Sequence, residues 1–294
     1  MKIGVSMWSY FHTWRKGSFD VPAFIREAKK AGADGVELLD FFYNDPGADR
    51  IQLFTTEQVA DKRASARDAL ADTGLPVPIF SVANNFAKHD PVEREQDLKK
   101  IQFGVDEALS YGAKVVRVFA GDVSEAVTFD QAREYIVEGL AKASVYANDR
   151  GIRLALENHG TLAGRGDQVC ALVEDVRKRS GNEALGANPD TGNFLIVGQP
   201  SHEAIREVAN YSYMVHFKDF APAPDGWGGF AYKTIHGEPL VGTAVGEGVV
   251  RLGDCVQALR DAGFDGWLSV EYEGEEDAMT AVPRSIENAR RFLD

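Results

Sequence analysis

Short runs dense in apolar and β-branched residues alternate with longer amphipathic stretches along this chain, eight times over. The apolar runs are KIGVSMW (2–8), GVELLD (35–40), PVPIFSV (76–82), AKVVRVF (113–119), RLALEN (153–158), LGANPD (185–190), YMVHF (213–217) and WLSVEY (267–272). Near-continuous apolarity marks strands covered on both faces. The stretches between them carry helix punctuation. Asp20 precedes VPAFIREAKKAGA, Thr55 precedes TEQVADKRASARDALADTG, Pro91 opens a third stretch and Asp130 a fourth, and glycines follow the ends. Polar caps in front and glycine behind are what helix termini require. Strand–helix alternation predicts a parallel sheet, and eight units are the number that closes a barrel. The fold class expected is α/β, a (β/α)8 TIM barrel in which residues 1–294 form a single domain.

The pattern breaks once. Residues 219–247, DFAPAPDGWGGFAYKTIHGEPLVGTAVGE, are rich in Gly and Pro and show no clear period. A loop of that length inside a domain is usually functional. It follows the seventh run, so it is expected to lie over the barrel mouth.

Composition narrows the partners. Of 294 residues, 44% are hydrophobic, enough for a large core, and 32 basic against 45 acidic residues leave a net charge of −13. A surface so acidic disfavours nucleic acid and anionic lipid. No apolar run reaches the length of a membrane span. Cys170 and Cys255 stand far apart in helical stretches, which fits a reducing compartment better than a disulfide framework. A cytoplasmic location is expected.

Four side chains at the ends of the last four apolar runs carry candidate chemistry: Glu157 in LALENHG, Asp190 in ANPDTGN, His216 in YMVHFKD and Glu271 in LSVEYEG. A barrel keeps its chemistry where strands open into loops. Three carboxylates and an imidazole form a mixed O/N donor set suited to one divalent ion, Mn, Mg, Co or Zn, with Mn favoured.

With these motifs in view, and with DGVEL near the start and DGWLSVEYEG near the end, the chain resembles the xylose-isomerase-like TIM barrel superfamily. The resemblance covers essentially its whole length and is strongest to the sugar phosphate isomerase/epimerase branch. In the ketose 3-epimerases of that branch two glutamates, an aspartate and a histidine bind one metal. The matching positions are Glu157, Asp190, His216 and Glu271. The resemblance implies isomerisation or epimerisation of a small keto or hydroxy sugar, phosphorylated or free, through a metal-stabilised enediolate. Glu157 and Glu271 would exchange protons from opposite faces of the substrate. It also implies a homodimer or homotetramer. The chain departs from the epimerase pattern at Asn193, where many relatives have histidine, and at Pro222, where they have arginine. Lys233 and His236 of the long loop are the expected replacements.

Further substrate contacts are expected from Trp8 and Trp14, which belong to an aromatic cluster after the first run. Glu37 is a candidate for a substrate hydroxyl, for support behind a metal ligand, or for an internal ion pair with Arg117. Asn84, His159, Asn193, Lys218 and His236 complete the set. Lys88, Arg165, Lys218 and Lys233 are candidate phosphate ligands, although no Gly-rich cradle accompanies them. Asp219 is expected to orient His216 or Lys218.

Three rival readings share the fold. A lyase or dehydratase would use the same metal and glutamates to eliminate water. An AP-endonuclease-like repair enzyme would need three zinc ions and further histidines, which Asn193, Gly229 and Ala231 do not supply. A non-catalytic sugar-binding barrel would have lost its ligands, and here the quartet is intact.

Overall fold

In the computed structural model, residues 1–48, 52–122 and 128–293 are described. The eight apolar runs become β1 (Lys2–Ser6), β2 (Gly35–Leu39), β3 (Ile79–Ser81), β4 (Val115–Phe119), β5 (Arg153–Glu157), β6 (Leu185–Asn188) and β7 (Val215–Phe217), and a last strand late in the chain. Before it, the 219–247 segment folds into β8 (Asp219–Pro222), β9 (Tyr232–Lys233) and β10 (Pro239–Thr243). The last barrel strand is β11 (Trp267–Val270). The barrel strands pair in parallel in the order β6-β5-β4-β3-β2-β1-β11-β7. Bridges Ala187↔Ser212 and Asp190↔His216 join the two ends, so the sheet closes on itself.

Ten α-helices are formed by the described residues: α1 (Phe11–Arg15), α2 (Val21–Lys30), α3 (Ala60–Thr73), α4 (Pro91–Tyr111), α5 (Phe129–Asn148), α6 (Gly166–Ser180), α7 (Asn193–Ile196), α8 (Ser201–Val208), α9 (Leu252–Asp261) and α10 (Ala278–Arg291). Asp20 caps α2 by accepting from the Ala23 amide at 2.9 Å. Two expected starts shift. Thr55 does not cap α3, which begins at Ala60, because Thr55 and Gln58 bond each other's backbone in a preceding turn. The cap of α5 is Thr128 rather than Asp130, with Gln131 completing a reciprocal pair of bonds.

Side-chain alternation sorts the strands into two surfaces. Val36, Leu38, Phe80, Val116, Val118, Leu154 and Leu156 join the large core shared with the helices. The other set points into the barrel, where Ile79, Val115, Ala155 and Met214 form a separate apolar cluster. Two residues further along those strands the same face carries Ser81, Arg117, Glu157 and His216, all buried. A strand presents residues i and i+2 on one face. The barrel interior is therefore apolar toward the strand N-termini and polar toward their C-terminal ends.

The long segment departs from expectation. It is an antiparallel three-stranded sheet in the order β8-β10-β9, with Thr243 opposite Asp219 and Leu240 opposite both Pro222 and Tyr232. Phe220 and Leu240 pack on Ile196 of α7, and the Ile235 amide donates to the Ile196 carbonyl at 2.8 Å. Among the described residues no helix is long and apolar enough to cross a membrane.

Two stability outcomes are expected from this packing. A Cβ added at Gly104 of α4 would stand 2.2 Å from Val82 Cγ1. Val82 is β-branched and has little rotamer freedom to yield. Overpacking costs about 1–3 kcal/mol, more than the roughly 1 kcal/mol of helix propensity that alanine restores. Gly104→Ala should therefore lower the urea unfolding midpoint, and an unchanged or raised midpoint would contradict the close helix–strand packing. The second outcome concerns Asp40, just beyond β2, which is buried, with the Ala83 amide 3.4 Å away as a donor. Burial pushes its pKa up to about 7. The folded chain thus holds a proton that the unfolded chain releases near pH 4, so this group's contribution is fully present below pH 4 and lost as pH rises through 7. Asp40→Asn should gain stability over the parent between pH 5 and 8, the gap widening by at most roughly 1.4 kcal/mol for each step of one in pH. Parallel stability–pH curves for the two proteins would refute this.

Candidate metal centre

Glu157 closes β5, His216 lies within β7, and Asp190 and Glu271 come just after β6 and β11. Parallel strands end on the same side of the barrel, so four distant segments deliver their side chains to one place. One donor atom from each of Glu157, Asp190, His216 and Glu271 lies within 4.8 Å of the other three, and all four residues are buried.

The PDTGN turn aims Asp190. Its backbone is clasped by Asn158, whose Oδ1 accepts from the Asp190 amide at 2.7 Å and whose Nδ2 donates to the Asp190 carbonyl at 3.2 Å. Asp190 Oδ1 accepts from the amides of Gly192 and Asn193, each at 2.9 Å. Its other oxygen, Oδ2, accepts no well-directed hydrogen bond.

His216 is held from behind. Its Nε2 lies 3.0 and 3.1 Å from the two oxygens of Glu37. Those oxygens also accept from Ser81 Oγ at 2.5 Å and Ser269 Oγ at 2.6 Å. Burial opposes the charge on Glu37, but the adjacent imidazole outweighs it and holds the carboxyl below the usual range. An anionic Glu37 places the imidazole proton on Nε2. Nδ1 then faces Glu157 at 3.2 Å, Glu271 at 3.5 Å and Asp190 at 3.8 Å, with no hydrogen bond of its own. A carboxylate behind a ligating imidazole is the arrangement that fixes its tautomer and orientation.

Charge balance points the same way. Glu37, Glu157, Asp190, Glu271 and Glu273 surround two permanent cations. Arg117 Nε lies 3.2 Å from Glu157, and Lys218 Nζ lies 2.7 Å from Glu271, 2.9 Å from Glu273 and 3.0 Å from Asp190. Five carboxylates against two cations leave an excess of negative charge in a buried site, which is costly without a counter-ion. Burial lowers the basicity of His216, but Glu271, Glu37 and Glu157 overcome it and keep its pKa well above the ordinary value, so among these carboxylates alone Nδ1 also carries a proton, one that a ligated cation would displace. Burial also pushes Asp190 up to about 6, against the pull of Lys218. Glu157 and Glu271 are raised by burial and lowered more strongly by their cationic neighbours, His216 first in each case. An imidazole nitrogen without a hydrogen bond, an Asp190 oxygen met only by the Lys218 ammonium, four convergent ligands and surplus negative charge fit a single divalent cation.

The other expected contacts divide. Lys218 is inside the cluster, and Asn193 touches it, donating to Glu157 Oε1 at 3.3 Å and to the Asn158 carbonyl at 3.1 Å. Trp8 is next to it, with Nε1 donating to Glu273 at 2.7 Å. Glu37 is engaged by His216 and two serines and is wholly buried, so it supports the imidazole and does not face a substrate. Its expected partner Arg117 pairs with Glu157. Trp14 is buried among Phe11, Phe41 and Phe42 as packing. Asn84 is spent on the backbone of Phe119, donating at 2.7 Å and accepting at 2.9 Å, and so ties the end of β3 to β4. His159 packs on the Phe119 ring and bonds Asp122 at 3.1 Å. His236 is exposed beside Gly198 and Lys233 is exposed, so the long segment does not bring either to the cluster. Asp219 orients neither neighbour. Its carboxylate accepts from the amides of Gly246, Gly248 and Val250 and secures the return of the chain from β10. Residues that sequence reasoning passed over include Ser81, Ser269 and Asn188, the last donating to Glu157 at 3.3 Å. Their signal was a lone polar residue at an inward position of an apolar strand.

Comparison with known proteins agrees with this fold. The L-ribulose-5-phosphate 3-epimerase UlaE of Escherichia coli (strain SMS-3-5 / SECEC) is 22% identical over 270 residues, which cover 88% of this chain and 84% of the relative. The inosose dehydratase of Lacticaseibacillus casei is 23% identical over 172 residues, covering 56% of this chain and 55% of its own. Among solved structures, the IOLI protein with a bound zinc atom superposes with a TM-score of 0.73 at 16% identity, covering all of this chain and 96% of the other. The family model for the xylose isomerase-like TIM barrel matches residues 25–294, and the chain belongs to that family.

Proposed function

We propose that the chain is a metal-dependent isomerase or epimerase acting on a small keto or hydroxy sugar. The observation that carries this reading is the convergence of four buried ligand side chains, with His216 Nδ1 left without a hydrogen bond, at the open end of the barrel. The epimerase relatives agree with it. Glu157, Asp190, His216 and Glu271 would hold the ion, with Mn²⁺ preferred over Mg²⁺, Co²⁺ and Zn²⁺. When bound, a divalent cation supplies Lewis acidity to substrate oxygens and stabilises the charge that grows on them as a neighbouring carbon loses its proton.

The protein's own groups divide the remaining work. Arg117 beside Glu157 and Lys218 beside Glu271 favour the anionic carboxylates, so either can accept a proton from carbon. Arg117 anchors Glu157 and Lys218 anchors Glu271, which restricts each carboxylate to one orientation. Asp190 and His216 are aimed by backbone amides and by Glu37, so they serve as fixed ligands. Asn193 holds the second oxygen of Glu157, a role in keeping with the carboxylate as a proton carrier.

A second reading, elimination of water from a keto-polyol, is favoured by the dehydratase relative. Incubation of the Mn²⁺-loaded protein with free and phosphorylated ketoses in D₂O separates the two. Deuterium incorporation without net loss of water supports isomerase or epimerase, and accumulation of a dehydrated product supports the lyase.

Glu157→Gln and Glu271→Gln should each lower turnover at least a hundredfold, the lower bound of a positioned acid–base group, while circular dichroism stays native. Near-parental turnover in either variant contradicts the assignment. Glu37→Gln should weaken Mn²⁺ binding about ten- to a hundredfold by calorimetry. Unchanged affinity would mean that His216 is not a ligand.

A further inference from the structure

Beside the metal cluster, between the aromatic residues after β1 and the small sheet, lies a cavity of about 570 Å³. Its volume falls within the range of small-molecule sites, roughly 300–1,000 Å³. Trp8, Phe11, Phe230 and Tyr232 line it together with Glu273 and Glu275. Glu273 joins this cavity to the cluster, since one of its oxygens receives Trp8 Nε1 at 2.7 Å and the other lies 2.9 Å from Lys218 Nζ. A molecule longer than one sugar ring, with its reacting carbon at the cluster, would reach past Glu273 into this space.

We propose that the cavity is a subsite for a second, uncharged sugar ring, so that the substrate is a glycosylated keto sugar and not a sugar phosphate. The inference rests on the isomerase or epimerase reading and names its substrate class. The chemistry of the walls carries it. None of the four aromatic side chains is fully buried, and Phe230 is 65% exposed. Trp8 stacks on Phe11 with ring centroids 4.7 Å apart, and Phe230 meets Tyr232 edge-on at 4.8 Å. Such pairs make two aromatic walls. Pyranose rings present C–H faces, which pack on aromatic surfaces, and equatorial hydroxyls, which donate to carboxylate oxygens.

Charge excludes phosphate from the same space. Glu273, Glu275, Glu276 and Asp277 border the cavity, against one permanent cation, Lys16. Of the four side chains that sequence reasoning offered to a phosphate, Lys233 is exposed and outside the lining of the cavity, and the other three are committed elsewhere. Lys88 pairs with Asp97 at 2.7 Å, Arg165 with Asp167 at 3.0 Å, and Lys218 with three carboxylates. A cationic substituent is also disfavoured, because the carboxylates nearest the aromatic walls already have partners. Glu273 serves Lys218 and Trp8, and Glu275 accepts from the Phe230 amide at 2.7 Å. Their remaining lone pairs suit hydroxyl donors.

The test is calorimetry on the Mn²⁺-loaded protein with fructose, fructose 6-phosphate, and the glucosyl-fructoses turanose, maltulose and isomaltulose. The expected result is that at least one glucosyl-fructose binds about tenfold more tightly than fructose, the scale of one aromatic contact, and that fructose 6-phosphate binds more weakly than fructose. Phe230→Ala, at an exposed position away from the cluster, should remove the disaccharide's advantage, with an unchanged melting temperature showing an intact fold. The proposal is overturned if fructose 6-phosphate binds more tightly than fructose, if no glucosyl-fructose exceeds fructose, or if the advantage survives Phe230→Ala. Deuterium exchange on fructose in D₂O, followed in the same preparations, reports on the isomerase or epimerase reading alone, so the two failures are distinguishable.

Discussion

Glu37 on β2 and His216 on β7 meet inside the barrel with two strands, β1 and β11, between them. Both are wholly buried, and the carboxylate touches the imidazole while two serines from β3 and β11 fill its remaining lone pairs. A buried charge of this kind is tolerable only when every acceptor is used. The requirement couples four strands in register: Glu37, Ser81, His216 and Ser269 must come level for any one of them to be satisfied. The pairing Ser269↔His216 and the offset of Glu37 against Ile79 set that level. The layer nearer the mouth is organised by it, because an imidazole fixed at one nitrogen presents the other to Glu157, Asp190 and Glu271.

The arrangement also explains why the barrel interior changes character along its length. Near the strand N-termini Ile79, Val115, Ala155 and Met214 fill the space with carbon and exclude water. One pleat further on, the same face turns polar. Water-poor surroundings strengthen the attraction between the carboxylates and whatever cation they hold. The apolar floor is thus part of the electrostatics, and a polar substitution there would admit solvent beneath the charged layer.

Much of this was legible in the chain. Eight apolar runs announced eight strands, because strands covered on both faces need nearly continuous carbon. The positions of Glu157, Asp190, His216 and Glu271 at the ends of successive runs announced a common rim. Less legible were relations between residues that only closure of the barrel makes neighbours. Glu37 shows in the sequence as a carboxylate at a strand end, and nothing local says that its partner is His216, 179 positions away. Trp14 and Asn84 stand near the rim in sequence, yet the first turns into phenylalanine packing and the second closes a backbone gap. The 219–247 segment hid its sheet because Gly and Pro mask strand periodicity, and its ladder is made of long-range antiparallel pairs.

That small sheet starts at Asp219, three residues after His216, and Asp219 binds the amides through which the chain leaves it. Its base is consequently welded to the barrel, whereas its far turns, around 223–231 and 234–238, have no such tie to the cluster. Lineages can lengthen, shorten or rewrite those turns while the anchored stem keeps Lys218 and its carboxylates in place. The reactive centre and the part that chooses what reaches it are free to evolve at different rates.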